Sequence, residues 1–108
     1  MHAAVFSALG EPNRLRIVEL LKTSSFPVGE IAETLGIRQP QVSKHLKALA
    51  ESGIVRVEPR SRQRVYHLRA EPFDEIARWA DSFEHLWEVR LDALGDYLQT
   101  NDAEEDRS

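Results

Sequence analysis

The chain has 108 residues, 42% of them hydrophobic, which suits one globular domain and is too apolar for a disordered tail. It contains no cysteine, so disulfides, zinc ribbons and thiol catalysis are excluded. The net charge of −4 hides an asymmetry: residues 1–70 hold 11 Lys and Arg against 6 Asp and Glu, and residues 71–108 hold 3 against 12. The first two-thirds is therefore the candidate polyanion-binding part.

The opening "MHAAVFSALGEPNR" lacks the basic start and apolar run of a signal peptide. No stretch approaches the ~18 apolar residues of a membrane span. The expectation is a soluble, cytoplasmic protein with no membrane partner. In chain order, "HAAVFSAL" reads as a short helix with one apolar side. "GEPNRLRIVELLKTS" predicts a second, with Pro12 in its first turn and a buried stripe of Leu15, Val18 and Leu21; Ser24, Ser25 and Pro27 end it. "VGEIAETLG" predicts a third, on the spacing of Ile31, Ala32 and Leu35, with Gly36 as terminator.

"RQPQVSKHLKALAESG" predicts a fourth helix, with Gln39 as a weak cap ahead of Pro40 and Gly53 closing it. Val42, Leu46 and Leu49 form its core side. The third and fourth helices, joined through Gly36, make a helix-turn-helix. "IVRVEP" and "RVYHLR" predict a two-stranded hairpin with the basic tip "RSRQ", the first strand ending at Pro59.

From Pro72 to about Thr100 a single long helix is expected. Ile76, Trp79, Ala80, Phe83, Leu86, Trp87, Leu91, Leu94 and Leu98 share one side of it, and Asp74, Asp81, Glu84, Glu88, Asp92 and Asp96 share the other. "NDAEEDRS" reads as an acidic, disordered tail. The expected fold is mainly α with a small β-hairpin: a winged helix-turn-helix of four helices, a two-stranded wing and a long C-terminal helix. Residues 1–100 are expected to form this one domain, for DNA binding and dimerisation on the residues discussed next, and residues 101–108 the tail.

The fourth helix has a second, polar face. Gln39 and Gln41 carry the amide that pairs with adenine, Ser43 donates or accepts, and Lys44 and Lys47 suit phosphates or a guanine. His45 sits at the boundary of the apolar face, where two roles are open: packing beneath the helix, or reaching a phosphate. Arg60, Arg62 and Arg64 cluster at the hairpin, placed for the backbone or minor groove of DNA. An ordinary solvated face accounts for any one of these residues; the combination of helix-turn-helix, polar helix start and basic hairpin favours double-stranded DNA. The last helix carries two Trp in one apolar stripe, and a second copy of the chain would cover it. Trp79, Phe83, Leu86, Trp87, Leu91, Leu94 and Leu98 are the candidate contacts. Arg90 falls within that stripe, either snorkelling outward or pairing with an acid of the partner chain.

The runs "ALGEPNRLRIVELL", "VGEIAETLGIRQPQVSKHLKALAESGIV" and "VRVEPRSRQRVYHL" resemble the arsenical-resistance-repressor (ArsR/SmtB) family of winged-helix transcription factors, from about Phe6 to Leu98. The resemblance implies a homodimeric repressor that reads DNA with the helix from Pro40 to Ser52. It also implies an interface built from the first and last helices, which adds Phe6 to the dimer contacts. Thiolate-sensing relatives carry cysteines where Pro27 and Gly29 stand here. Zinc-sensing relatives use Asp and His on the last helix, where this chain has Asp81, His85 and Glu88 on the face opposite the apolar stripe. With one His among them, a solvated acidic face is expected, with no metal and no cofactor. The ending resembles a metal-independent subgroup whose members often repress their own or a neighbouring gene, with inducer unknown.

Two other readings compete: a winged helix that docks an acidic protein without touching DNA, and a metal-sensing repressor using Asp81, His85 and Glu88. An enzyme is not expected. The chain lacks a phosphate-cradling Gly-rich loop, a Gly-x-Ser-x-Gly elbow and a His-Glu-x-x-His helix, and Ser43 and His45 point apart on one helix.

Overall fold

The computed structural model describes residues 3–86, 88 and 93–95. Residues up to Glu75 make one compact unit and those from Ile76 a second. The elements run α1 (Ala3–Leu9), α2 (Pro12–Leu21), β1 (Phe26–Pro27), α3 (Val28–Leu35), α4 (Gln39–Glu51), β2 (Val55–Arg60), β3 (Gln63–Leu68) and α5 (Ala70–Asp81).

Each start and stop has a local cause. The Glu11 carboxylate accepts the Arg14 N–H at 2.8 Å and caps α2, with Pro12 in the first turn where no N–H is needed. Gly36 ends α3 in the left-handed region (φ 68°), and the following Ile37 N–H returns to the Ala32 carbonyl at 3.1 Å. Arg16 of α2 donates to the Leu35 carbonyl at 2.8 Å, satisfying a last-turn acceptor of α3. Gly53 (φ 76°) follows α4 in the same way, and Ile54 N–H reaches back to the Leu49 carbonyl at 2.9 Å.

The first unit packs its core beneath α4. Val42, Leu46 and Leu49 are fully buried together with Ile17, Ile31 and Ile54. Burial of each such side chain is worth about 1.5–3 kcal/mol. The expected stripe of α2 is shifted: Ile17, Val18 and Leu21 are buried, whereas Leu15 is 46% exposed. Five apolar residues within seven positions allow two overlapping stripes, and packing against α3 and α4 selected the one through Ile17.

Four further expectations are corrected. The sheet has three strands in the order β1-β3-β2, because Phe26 and Pro27 pair antiparallel with Tyr66 and Val65. Pro59 does not end β2, which continues to Arg60. As an edge strand β2 tolerates a residue without an N–H. Gln39 does not cap α4. Arg38 holds the extended cap position without a side-chain bond, and its carbonyl accepts the N–H groups of Gln41 and Val42 at 3.0 and 3.1 Å.

The long last helix is interrupted after Asp81. Ser82 donates its hydroxyl back to the Trp79 carbonyl, and Phe83 N–H bonds Ala80, three residues back rather than four. Residues 84–86 and 88 are helical again. The rest of that expected helix at 87, 89–92 and 96–100, and the expected tail at 101–108, lie outside the described residues. Among the described residues no helix is long and apolar enough to cross a membrane.

Candidate nucleic-acid interface

The fourth helix and the hairpin face each other across a concavity of about 830 Å³. Gln39, Ser43 and Lys47 line it from α4, and Arg62 and Arg64 from the wing. These three residues of α4 recur at i, i+4 and i+8, so they stack along one helical face beside the buried stripe. Leu46, Ala50, Val57 and Tyr66 supply an apolar floor, and Val28 and Gly29 bring the start of α3 to its edge. Among the described residues no Asp or Glu lines it, so Lys47, Arg62 and Arg64 share the hollow without a lining acid to neutralise them.

Strand register decides which wing residues look into the hollow. In an antiparallel pair, opposite residues share a face and successive residues alternate. Val57 pairs with Tyr66 and Pro59 with Arg64, on the side toward α4. Arg56 and Glu58 take the other side with His67 and Val65, and Arg60 joins Glu58 there, while its partner Gln63, beside the turn, lines the hollow. The wing arginines are thus divided. Arg62 and Arg64 belong to the hollow, and Arg60 stands 3.2 Å from Glu58 on the opposite face. The Glu58 carboxyl is held below its ordinary value of 4.5, first by its hydrogen bond from His67 and then by the charges of Arg60, His67 and Arg56.

The two-residue turn at the tip, Ser61 and Arg62, joins the Arg60–Gln63 pair. Ser61 has φ 55°, a left-handed conformation that a two-residue hairpin demands at its first central position.

Gln41 and Lys44 are exposed on α4 and do not line the hollow. His45 is half-buried, its Nδ1 3.7 Å from the Glu11 carboxylate at the start of α2. Tyr66, Val57 and Gln63 join the hollow although the sequence reading did not single them out. Strand alternation from Arg64 would have pointed to Tyr66.

Of the expected dimer contacts, Phe6, Trp79, Phe83, Leu86 and Leu94 are all exposed. Trp79 and Phe83 meet edge to face, ring centroids 5.1 Å apart at 78°. Trp87, Arg90, Leu91 and Leu98 lie outside the described residues. Asp81, His85 and Glu88 do not come together as a cation site, since no group of three or more His, Asp or Glu able to hold a metal occurs among the described residues.

A helix-turn-helix domain family matches residues 9–58, from the end of α1 into β2. The HTH-type transcriptional regulator Rv2034 of Mycobacterium tuberculosis is 36% identical over 101 residues, which cover 94% of this chain and 89% of that protein. The transcriptional repressor SdpR of Bacillus subtilis is 29% identical over 79 residues, 73% of this chain and 88% of that protein. Among solved structures, the ArsR family transcriptional regulator RHA00566 superposes with a TM-score of 0.71 at 29% identity, covering 79% of this chain and 93% of its own. The homodimeric winged helix-turn-helix DNA-binding domain of Mb0332 from Mycobacterium bovis gives 0.64 at 25% identity, with 77% of each chain covered. With an acid-free hollow between a helix-turn-helix and a wing, and a relative 36% identical over nearly its whole length, the chain belongs to the ArsR/SmtB family of winged helix-turn-helix transcriptional regulators.

Proposed function

We propose that this regulator is a sequence-specific DNA-binding repressor that acts in the cytoplasm as a homodimer on an inverted-repeat operator, without sensing a metal. The reading rests on the hollow between α4 and the wing, where Lys47, Arg62 and Arg64 converge with no acid. Polyanion binding needs such uncompensated charge, and Gln39 and Ser43 beside it add the donors and acceptors that read base edges. Gln41 is a second base-reading candidate, Lys44 a phosphate contact, and His45 a support beneath the helix.

Dimerisation through Phe6, Trp79, Phe83, Leu86 and Leu94 would cover exposed apolar surface and pair two reading helices, as the homodimeric state of Mb0332 supports. A two-fold dimer then asks for half-sites about one helical turn apart or a multiple of it. Occupying the operator excludes polymerase sterically, so no chemical step is required.

Fluorescence anisotropy on the gene's own upstream DNA against a scrambled duplex, across a salt series with and without chelator, tests this. The expected result is selective binding of two chains per site, falling steeply with salt and indifferent to the chelator. Equal binding to both duplexes would remove sequence reading. Sensitivity to the chelator would restore a metal-responsive one.

A further inference from the structure

On the wing face turned away from α4, one carboxylate oxygen serves an imidazole and a guanidinium. Glu58 Oε2 lies 2.8 Å from His67 Nε2 and 3.2 Å from the Arg60 guanidinium. Behind it, His67 Nδ1 is hydrogen-bonded to the hydroxyl of Ser25, just before β1. The four groups are neighbours because register puts Glu58 and Arg60 on the same face as His67, and because β1, which follows Ser25, pairs with β3.

The Glu58 carboxyl stays ionised well below neutrality, and imidazole is the side chain whose charge changes between about pH 5 and 8. Neutral His67 donates from Nε2 to Glu58 and accepts the Ser25 O–H at Nδ1. Protonated His67 keeps both contacts, because the hydroxyl turns to accept from Nδ1. What changes is the charge on Glu58's neighbour. With neutral imidazole, Glu58 and Arg60 cancel as a pair. With imidazolium, Glu58 is compensated from within the sheet, and the charge of Arg60 is left over.

We propose that His67 and Glu58 form a proton-operated restraint on Arg60, holding its guanidinium on the strand when His67 is neutral and freeing it for a DNA phosphate when His67 is protonated. The proposal rests on the DNA-binding reading above. Linkage makes the coupling reciprocal: a phosphate that captures Arg60 leaves Glu58 to His67 alone, so DNA binding takes up a proton there.

The other charged groups around His67 do not replace Glu58. Arg56, directly opposite on β2, is a cation. The helices that also pack on β3 bring no carboxylate within ion-pair distance of His67 among the described residues. Of the cations on α2, Arg14 donates to the Ala8 carbonyl, Arg16 to that of Leu35, and Lys22 pairs with Glu19.

The test compares DNA affinity at about pH 6 and about pH 8 for the wild type, His67→Gln, Glu58→Gln and Arg60→Gln. The wild type should bind about fivefold tighter at the lower pH, the low end of typical coupling between sites, beyond whatever ratio His67→Gln retains from other histidines. Its salt slope should steepen by roughly 0.9, one phosphate contact. Glu58→Gln should bind at the higher pH as the wild type does at the lower, and Arg60→Gln should lose the His67-dependent part.

A His67→Gln protein that kept the full pH ratio, or a Glu58→Gln protein that bound more weakly than wild type, would overturn the proposal. The DNA-free protein supplies an independent reading. The Arg60 Nε–H resonance should move with pH in the wild type and stay still in His67→Gln. DNA selectivity with an Arg60 signal that ignores pH would overturn the restraint alone. A coupled Arg60 signal with no DNA binding at either pH would overturn the functional reading, and the phosphate step with it.

Discussion

His45 of α4 stands 3.7 Å from the Glu11 carboxylate that caps α2. One acid therefore closes the start of one helix and touches the middle of another. Glu11→Ala should lower stability by about 1 kcal/mol through the lost cap, read as a shift in the urea midpoint. His45→Ala should also shift that midpoint and leave the salt slope of DNA binding unchanged. A slope shallower by about 0.9 would make His45 a phosphate contact instead.

Residues in and beside the hollow should divide by what they read. Lys47→Ala should weaken binding to cognate and scrambled duplexes alike and lower the salt slope by about 1, because a phosphate contact is blind to sequence. Gln39→Ala or Gln41→Ala should leave the slope and cost about 1–3 kcal/mol of discrimination, if its amide reads a base. Anisotropy on the two duplexes separates these outcomes, and an unchanged preference in both Gln variants would withdraw their base-reading role.

Exposed Trp79 and Leu86 should hold two chains together. Leu86→Arg should shift sedimentation from dimer toward monomer and lower DNA affinity, because each half-site is then bound separately. A dimer that persisted in both Leu86→Arg and Trp79→Ala would place the interface elsewhere.

At the wing tip, Ser61 holds a left-handed backbone that costs a residue with a Cβ about 1 kcal/mol. Ser61→Gly should raise the melting temperature slightly, the relief outweighing the greater freedom of glycine in the unfolded chain. A lower melting temperature would show that the serine side chain supports the turn.

Acid should loosen the wing through Glu58. Its carboxyl is depressed in the folded state relative to its ordinary value of 4.5, so the unfolded chain binds more protons in that range. The stability it contributes is therefore present above that value and lost as the pH falls through the folded one. Urea melts of wild type and Glu58→Gln should differ at neutral pH and converge in acid. A gap that persisted in acid would refute the assignment.

Much of this was legible in the chain itself. The recurrence of Val42, Leu46 and Leu49 marked the buried side of α4, and Gly36 and Gly53 marked helix ends, because periodicity and left-handed turns are local properties. Charge along the chain located the basic part, and the hairpin tip announced its arginines. What depended on partners far away in sequence was not legible. Phe26 and Pro27 become a strand only because Tyr66 and Val65 pair with them, and nothing in two residues signals that. Ile17 displaced Leu15 in the core because neighbouring helices chose between two overlapping stripes. Arg60 parted from Arg62 and Arg64 because alternation sends each residue of a strand to one face, and the register with β3 decides which face meets α4. Local rules set the elements; pairing and packing between distant segments set which of their side chains share a site.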